Sequence, residues 1–539
     1  MSVVLDGESL TPEDVATVAR DDARVEVAET ARERVRESRA RVEDVIESGE
    51  AVYGLNTGFG ELVDERIPPE EIEQLQTNLL RSHAAGAGRE LEREAVRAMM
   101  VARINALVTG YSGIRETVVD HLVAMCNEGV HPVVRSRGSL GASGDLAPLA
   151  HMSLVLIGEG DAVVEGTDEE DGTRLPGDEA LAAIGLEPLS LKPKEGLALI
   201  NGTQLTAGLA ALAVVDGERL VRGADAAGAL TIETSLGTTA TADRAIHEVR
   251  PHAGQLESAR EIRQLTAGSE IVEAHRNCDR VQDAYSLRCL PQVHGAVRDA
   301  LSHLRDAVSI ELNSATDNPL VFAGDRVDDR ASGTDRAAVL SGGNFHGAPL
   351  ALRLEYARLA LTDLAAISER RIDRLLNPNL QEPHLPPFLA ADSGVESGYM
   401  IAQYTAAALV NELRSFGAAS TDNTPVSGGQ EDHVSMSCQS ALHVRTAVEN
   451  ATQVVAAELV CGAQAADYVD DAFETDEPLS LGVGTSAVYD LVREVVPSLE
   501  NDRPVHTDVD RVAALLERGL LEERVARATR DSAPIDDGN

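Results

Sequence analysis

The sequence predicts a mainly α-helical protein, with a long-helix bundle and an irregular N-terminal part. Apolar residues recur every three or four positions over long stretches, which is the period of an amphipathic helix. Signals for strands are sparse and short, and Gly/Pro clusters fall mostly in the first 200 residues. We therefore expect an irregular part at 1–200 and a long helical bundle at 201–539, together forming one continuous unit.

Three segments carry the helical prediction. An apolar stripe at 293–312 lines one helix face and stops before a loop rich in turn formers. A second stripe begins at 444 and continues through alanine-rich sequence to about residue 468. The segment 349–376 is a third long helix, with proline in its first turn, where a missing N–H costs nothing. Helices of this length are typical of an elongated bundle.

Charge and hydropathy exclude several classes of partner. The formal net charge of −42 disfavours nucleic acid and anionic lipid, because phosphate binding requires Lys and Arg to displace counterions. Lys192 and Lys194 are the only lysines, and so acidic a composition is typical of proteins from a high-salt cytoplasm. No apolar run is long enough to span a bilayer, and the N-terminus does not resemble a signal peptide. We expect a cytoplasmic protein.

The five cysteines give no sign of a disulfide framework or a zinc ribbon. They are odd in number, scattered, and contain no CxxC pair, which suits reduced thiols. Histidines, cysteines and a glutamate near 121–131 and 431–438 could be combined into ligand sets for a metal enzyme. Their spacings match no common metal motif, so we expect no metal.

The segment 138–151 has the most unusual composition, since small residues dominate it. An isolated Gly-Ala-Ser-Gly is usually a tight turn. The alternative is backbone cyclisation, in which the Gly144 nitrogen attacks the Ala142 carbonyl and loss of two waters leaves an exocyclic methylidene at Ser143. Gly144 offers an unhindered amide, Ala142 adds little bulk, and Ser143 carries the leaving hydroxyl.

Taken with its flanks, this segment resembles the signature of the aromatic amino-acid ammonia-lyase family. In that family Ala-Ser-Gly matures autocatalytically to 4-methylidene-imidazole-5-one (MIO). The resemblance implies that Ala142, Ser143 and Gly144 form MIO without an external cofactor. It also implies a fumarase/aspartase-like architecture whose irregular N-terminal part carries the MIO loop, and a homotetramer whose active sites combine residues from several subunits.

Further segments resemble the family and imply roles for single residues. Tyr53, in the glycine-rich stretch 52–60, is the expected base that removes the substrate β-proton. A phenol with a pKa near ~10 needs nearby dipoles or cations for that role. His83 is expected beside the substrate ring, and Asn201 near the prosthetic group. Phe345 is expected to pack near the prosthetic ring.

The stretch 281–292 supplies another predicted group. Gln282, Tyr285 and Arg288 are spaced by three, which on a helical turn places them on one face. The resemblance gives the substrate carboxylate to Arg288, whose planar guanidinium can bind both oxygens, and assigns Tyr285 and Gln282 to the support of the site. Glu431 is the expected substrate-contacting carboxylate. The usual family pattern there has Asn before Gln, whereas this chain has Gly429.

The expected substrate is L-histidine, and the expected products are trans-urocanate and ammonia. A buried imidazole needs polar partners, which His83 and Glu431 supply. Tyrosine-specific relatives also place a histidine like His83, so Glu431 discriminates better. The alternatives are a tyrosine or phenylalanine ammonia-lyase, an MIO-dependent aminomutase, and a helical scaffold without activity. A fumarase or aspartase proper would show a Gly-Ser-Ser loop, which this chain lacks.

Overall fold

The computed structural model describes residues 2–49, 52, 68, 71–166, 172–277, 280–327, 331–421, 423–473, 475 and 477–530. The chain divides into two compact units. The first comprises Met1–Val215, Leu304–Glu355 and Ala418–His443, and the second comprises Asp216–His303, Tyr356–Gly417 and Val444–Asn539. Each unit thus combines segments that are distant in sequence, and the boundary expected at residue 200 stays a prediction.

The structure is mostly helical, which confirms the predicted fold class. None of the helices in the described ranges is both long and apolar enough to cross a membrane. The α-helices of the described residues are α1 (Pro12–Arg20), α2 (Glu29–Ser48), α3 (Ile72–His83), α4 (Arg93–Val108), α5 (Glu116–Asn127), α6 (Leu146–Leu156), α7 (Gly177–Ala183), α8 (Glu195–Ile200), α9 (Gln204–Thr234), α10 (Arg244–Glu248), α11 (Ala253–Leu265), α12 (Glu270–Ala274), α13 (Tyr285–Arg288), α14 (Leu290–Leu312), α15 (Ala348–Leu376), α16 (Met400–Ser415), α17 (Ser437–Ala466), α18 (Val483–Val495), α19 (Val505–Glu517) and α20 (Leu520–Arg530).

The three long helices predicted from periodicity are confirmed as α14, α15 and α17. Helix α14 ends at Leu312, where the run of turn-forming residues begins. Helix α15 carries Pro349 in its first turn, where its missing N–H would have no intrahelical partner. Helix α17 starts at Ser437, earlier than its apolar stripe, and the Ser437 hydroxyl lies against Gly141.

Short strands complete the described structure. They are β1 (Ser2–Leu5), β2 (Arg24–Val27), β3 (Ala87–Glu90), β4 (Val130–Pro132), β5 (Arg135–Arg137), β6 (Asp161–Val164), β7 (Thr173–Pro176), β8 (Leu320–Ala323), β9 (Ser332–Gly333) and β10 (Ala337–Leu340). Strands β1 and β2 pair in parallel, from Ser2 opposite Arg24 to Leu5 opposite Val27. The sheets β3-β5, β4-β6-β7 and β8-β10-β9 are antiparallel. Strands β6 and β7 pair from Asp161 opposite Pro176 to Val164 opposite Thr173.

Helix α4 forms the centre of the first unit. Every residue from Ala95 to Val108 is buried, so the helix is covered on all sides rather than amphipathic. Helices α1, α2 and α5 pack against it. Two arginines of α4, Arg97 and Arg103, are buried with the apolar residues. A buried guanidinium requires hydrogen-bond acceptors, and in both cases backbone carbonyls supply them.

A buried ion pair lies in the core of the second unit. The Arg371 guanidinium donates through Nε to Oε1 of Glu458 at 2.6 Å and through Nη2 to Oε2 at 2.9 Å. The carboxylate also accepts from the hydroxyls of Thr231 and Ser368. Because both charged groups are fully buried, loss of either partner would leave an uncompensated charge in the core.

Candidate active site

The tripeptide Ala142-Ser143-Gly144 lies just before helix α6, at a point where only glycine fits. Gly144 has φ +77°, and a Cβ on it would lie 2.1 Å from the carbonyl oxygen of Gly202. The Asp145 amide donates to that same oxygen at 2.7 Å. The chain at 144 therefore lies directly against the chain at 202, a contact that any side chain would prevent.

The tripeptide loop is fixed on one side by Asp145, which is completely buried. Its carboxylate accepts hydrogen bonds from the Ser139 hydroxyl at 2.7 Å and from the Thr206 amide at 2.8 Å. Burial raises the pKa of Asp145, and the hydrogen bonds from Thr206 and Ser139 oppose that rise. The Asp145 carboxylate thereby links Ser139, at the start of the loop, to the first turn of α9.

The loop is fixed on the other side through Gly141. A Cβ at this position would lie 2.2 Å from the Ser435 hydroxyl and 2.5 Å from the Ser437 hydroxyl. The Gly141 carbonyl accepts from Ser435 Oγ at 2.9 Å and from the Gly347 amide at 3.0 Å. The loop thereby brings together the segments that precede α15 and α17, although they lie some 200 to 300 positions along the sequence.

A cavity of about 910 Å³ opens beside the tripeptide, lined entirely by residues of the first unit. Six of the predicted site residues share it: His83, Ala142, Ser143, Asn201, Phe345 and Glu431. The rest of the lining is Leu79, Leu146, Leu197, Ile200, Asn318, Ser341, Gly342, His346, Ser427, Gly428, Gln430, Asp432 and His433. The structure therefore brings together the motif residues of five separate segments.

Ser143 is held from two directions inside this cavity. Its hydroxyl donates to Oε1 of Glu431 at 3.0 Å, and its carbonyl accepts from Nδ2 of Asn201 at 3.3 Å. The side-chain oxygen of Asn201 is buried without a hydrogen-bond partner among the described residues. Such an acceptor is costly to bury unless something else donates to it, so it marks a place for a donor on a bound group.

Hydrogen bonds from the backbone and from the Asn423 side chain hold the segment around Glu431 in place. The Val426 amide donates to the Glu431 carbonyl at 3.0 Å, and Asn423 accepts from the Val434 amide at 2.9 Å. Gly429, the residue that departs from the usual family pattern, has φ +94° and no heavy atom near the position of a Cβ. Glycine at 429 thus suits the turn by its backbone conformation and leaves the space around it open.

His83 lies at the C-terminal end of α3 and is half-buried. Its Nδ1 is 2.9 Å from the carbonyl oxygen of Leu79, which can only accept, so Nδ1 carries the hydrogen. In the neutral ring Nε2 is then an acceptor. Burial lowers the pKa of His83, while the hydrogen bond to Leu79 and the charge of Glu431 partly restore it.

We expect His83 to titrate below the usual imidazole value of 6.5, so that it is neutral at pH 7. Because the folded pKa is the lower one, the unfolded chain binds the proton more readily. The stabilisation from the neutral ring is present above pH 6.5 and is lost as the pH falls through the folded value. Proton NMR can follow this imidazole, assigned as the signal missing in His83→Gln. A midpoint at or above 6.5 would contradict the assignment.

Two histidines that line the cavity were not predicted from the sequence as site residues. The rings of His346 and His433 lie parallel, with centroids 5.8 Å apart and planes inclined by 8°. His346 Nε2 lies 3.2 Å from the His433 carbonyl and donates to it. Each histidine lies in a motif that predicted another site residue, Phe345 or Glu431, and that proximity was the available sequence signal. Their contact could not be predicted, because no local pattern pairs residues 87 positions apart. Within the described ranges, no three His, Cys, Asp or Glu side chains are grouped as metal ligands.

The predicted group at 282–288 lies in the second unit and does not line the cavity. The sequence prediction of one shared helical turn is wrong in detail, because α13 begins at Tyr285 and Gln282 precedes it. Arg288 nevertheless donates to Oε1 of Gln282, and its guanidinium lies 5.7 Å from the Tyr285 ring centre. Tyr285 is 72% exposed. Tyr53 lies outside the described residues.

Comparison with known proteins gives one consistent result. The family model for aromatic amino acid lyase matches residues 10–494. The chain is 66% identical over 526 residues to a probable histidine ammonia-lyase of Halobacterium salinarum, covering 98% of each chain. The crystal structure of histidine ammonia-lyase from Trypanosoma cruzi matches with a TM-score of 0.88 and 39% identity, covering 99% of this chain and 96% of that one. A tyrosine aminomutase from Streptomyces globisporus matches with a TM-score of 0.89 and 38% identity, covering 99% and 100%. The chain therefore belongs to the aromatic amino acid lyase family.

Proposed function

We propose that this chain is a histidine ammonia-lyase, which eliminates ammonia from L-histidine to give trans-urocanate. The observation that carries the proposal is the hydrogen bond from Ser143 to Glu431 inside a cavity that also holds His83. It places a carboxylate and a neutral imidazole beside the tripeptide, where an imidazole substrate finds polar partners. The full-length similarity to a probable histidine ammonia-lyase supports the same substrate.

We further propose that Ala142, Ser143 and Gly144 form MIO, and the residues present fit that group. Gly144 has the backbone freedom and the absence of a side chain that ring closure requires. Asn201 Nδ2, which donates to the Ser143 carbonyl, would support the ring, and the Asn201 side-chain oxygen is left for a donor on the substrate. The mature group supplies an electrophilic methylidene carbon that makes the substrate amine a better leaving group.

The side chains of the cavity bind and orient the substrate. Glu431 accepts a hydrogen bond from one N–H of the substrate imidazole, and His83 Nε2 accepts from the second N–H when the substrate ring is protonated. Phe345 contributes an apolar surface beside the tripeptide. The base, assigned to Tyr53 by the family resemblance, takes the β-proton while the Cα–N bond breaks. The products are then an acrylate, ammonia and a proton, so that atoms balance.

The carboxylate anchor requires a homotetramer in this proposal. Arg288, Tyr285 and Gln282 are clustered in the second unit and do not line the cavity of the first. The family resemblance implies active sites that combine residues from several subunits. We infer that another subunit supplies this cluster, with its guanidinium on the substrate carboxylate.

The net charge of −42 supports the further proposal that the enzyme works in a high-salt cytoplasm. Full stability of the folded protein in dilute buffer would contradict it.

Product analysis with L-histidine, L-phenylalanine and L-tyrosine tests the proposed function. We expect urocanate and ammonia in equal amounts from histidine. The kcat/KM for histidine should exceed that for phenylalanine by roughly 10⁴-fold, because an apolar ring leaves buried polar groups unpaired. The structural similarity to a tyrosine aminomutase makes that activity the second candidate. A β-amino acid product would favour the aminomutase, and faster formation of an aryl acrylate would refute histidine as the substrate.

A further inference from the structure

Arg103, in the interior of helix α4, contacts the segment that supports the tripeptide. It is 1% exposed. Its Nη1 donates to the Asn201 carbonyl at 2.9 Å and to Oε1 of Gln204 at 2.6 Å, and its Nη2 donates to the Ala198 carbonyl. All three acceptors belong to one short stretch of chain, 198–204. A single guanidinium therefore fixes the end of α8, the turn at 201–203 and the start of α9 relative to one another.

The guanidinium also lies next to the backbone contact that shapes the tripeptide. A Cβ on Gly202 would lie 2.7 Å from Arg103 Nη1, so the two are in contact. Gly202 also lies against Gly144, since the Gly202 carbonyl accepts from the Asp145 amide and is 2.1 Å from the position of a Gly144 Cβ. Gly202 is thus in direct contact with Arg103 and with Gly144, and no side chain separates it from either.

The Arg103 guanidinium carries a full positive charge in the protein interior, where burying a charge is energetically unfavourable. Burial lowers the pKa of Arg103 to about 10, opposed by the charges of Asp317 and Asp145, so the group stays protonated at neutral pH. Its hydrogen-bond acceptors are neutral oxygens, and its Nε has no partner among the described residues. A buried cation whose direct acceptors are all neutral contributes little to the stability of the fold, so stability alone does not explain an arginine here.

We propose that Arg103 is a positioning residue for the maturation of Ala142-Ser143-Gly144, acting through Gly202. The inference rests on the proposed prosthetic group. Cyclisation forms a bond between the Gly144 nitrogen and the Ala142 carbonyl carbon. One water leaves with the Ala142 oxygen and the amide hydrogens of Gly144 and Ser143, and a second leaves with the Ser143 hydroxyl and its Cα hydrogen. By fixing the chain at 201–203, Arg103 keeps Gly144 in the conformation from which its nitrogen attacks.

The test compares Arg103→Lys with a matched control on the same helix. Arg97 is also buried on α4. It donates to the carbonyls of Val18 and Cys126 at 2.8 and 2.9 Å, and both acceptors lie outside the segment 198–204 that Arg103 contacts. Arg97→Lys therefore removes a comparable fork of hydrogen bonds without touching the segment at 201–203. Both variants keep the charge. The measurement is the fraction of intact protein that has lost two waters, followed over time after synthesis, with the loss located by peptide mapping.

We expect Arg103→Lys to mature about 10-fold to 100-fold more slowly than wild type, because a displacement near 1 Å is enough for such a loss. Arg97→Lys should mature at the wild-type rate. Wild-type maturation of folded Arg103→Lys, or equal slowing in both variants, would overturn the inference. Absence of the water loss from the wild type would instead refute the proposed prosthetic group, so the two failures are distinguishable.

A second variant keeps the inference testable if Arg103→Lys fails to fold by circular dichroism. Gln204→Met leaves Arg103 in place but removes the acceptor at 2.6 Å that aligns its guanidinium. It also removes the donor to the Thr316 hydroxyl at 2.7 Å, at the far end of the same side chain. Folded Gln204→Met should mature more slowly than wild type. A wild-type rate in this folded variant would overturn the role assigned to Arg103.

Discussion

Replacing Ser143 by alanine is expected to reduce the turnover of L-histidine by roughly 10³-fold or more, because the group that carries the difficult chemistry cannot form. The fold should persist. Ser143 contributes one hydroxyl, which donates to Glu431, and an alanine at this position needs no new space. The initial rate of urocanate formation measures the loss, with circular dichroism as the check on folding.

The matched control for this change is Ser153→Ala. Ser153 is a buried serine on α6, the helix that directly follows the tripeptide, and it does not line the cavity. We expect it to keep nearly full activity. An Ser143→Ala enzyme with wild-type turnover would show that the hydroxyl of Ser143 is not the source of a prosthetic group.

Replacing Glu431 by glutamine is expected to lower kcat/KM for histidine by about 10-fold to 10²-fold, since a hydrogen bond to a charged group contributes about 1.5–3 kcal/mol. The amide keeps an oxygen that can accept from the Ser143 hydroxyl at 3.0 Å before that hydroxyl is lost, so the loop should still mature. The family resemblance implies an amide at this position in relatives that act on aryl amino acids. The ratio of phenylalanine to histidine turnover should therefore rise.

Asp432→Asn is the control for Glu431→Gln. Asp432 is the neighbouring carboxylate of the cavity lining and is exposed, so its neutralisation changes the local charge by the same amount. We expect little change in its substrate ratio. Equal effects of the two changes would mean that net charge near the cavity, rather than a specific contact of Glu431, decides the substrate.

The long helices could be predicted from sequence because their signals are local. The stripe at 293–312 and the turn formers after it together predict α14 and its end at Leu312. The division into two units could not be predicted in this way. Each unit is assembled from three segments, and the pairing of distant segments leaves no periodic mark in the sequence.

The candidate site was predictable where a motif carries a residue and unpredictable where packing alone places it. Ser143, His83 and Glu431 stand in recognisable motifs, and the cavity unites them. The role of Arg103 depends instead on contacts to a carbonyl 98 positions away, and that of Gly141 on a serine 294 positions away. A buried arginine in an apolar helix looks the same in sequence whichever carbonyl it reaches.

The most direct test of the proposed prosthetic group is the intact mass of the wild-type protein, measured together with its near-ultraviolet absorbance. We expect a mass lower than that of the encoded chain by two waters, and a chromophore assigned to the ring formed from Ala142, Ser143 and Gly144. Both should be missing in Ser143→Ala. A wild-type protein with the full encoded mass and no chromophore would contradict the self-made electrophile on which the proposed function depends.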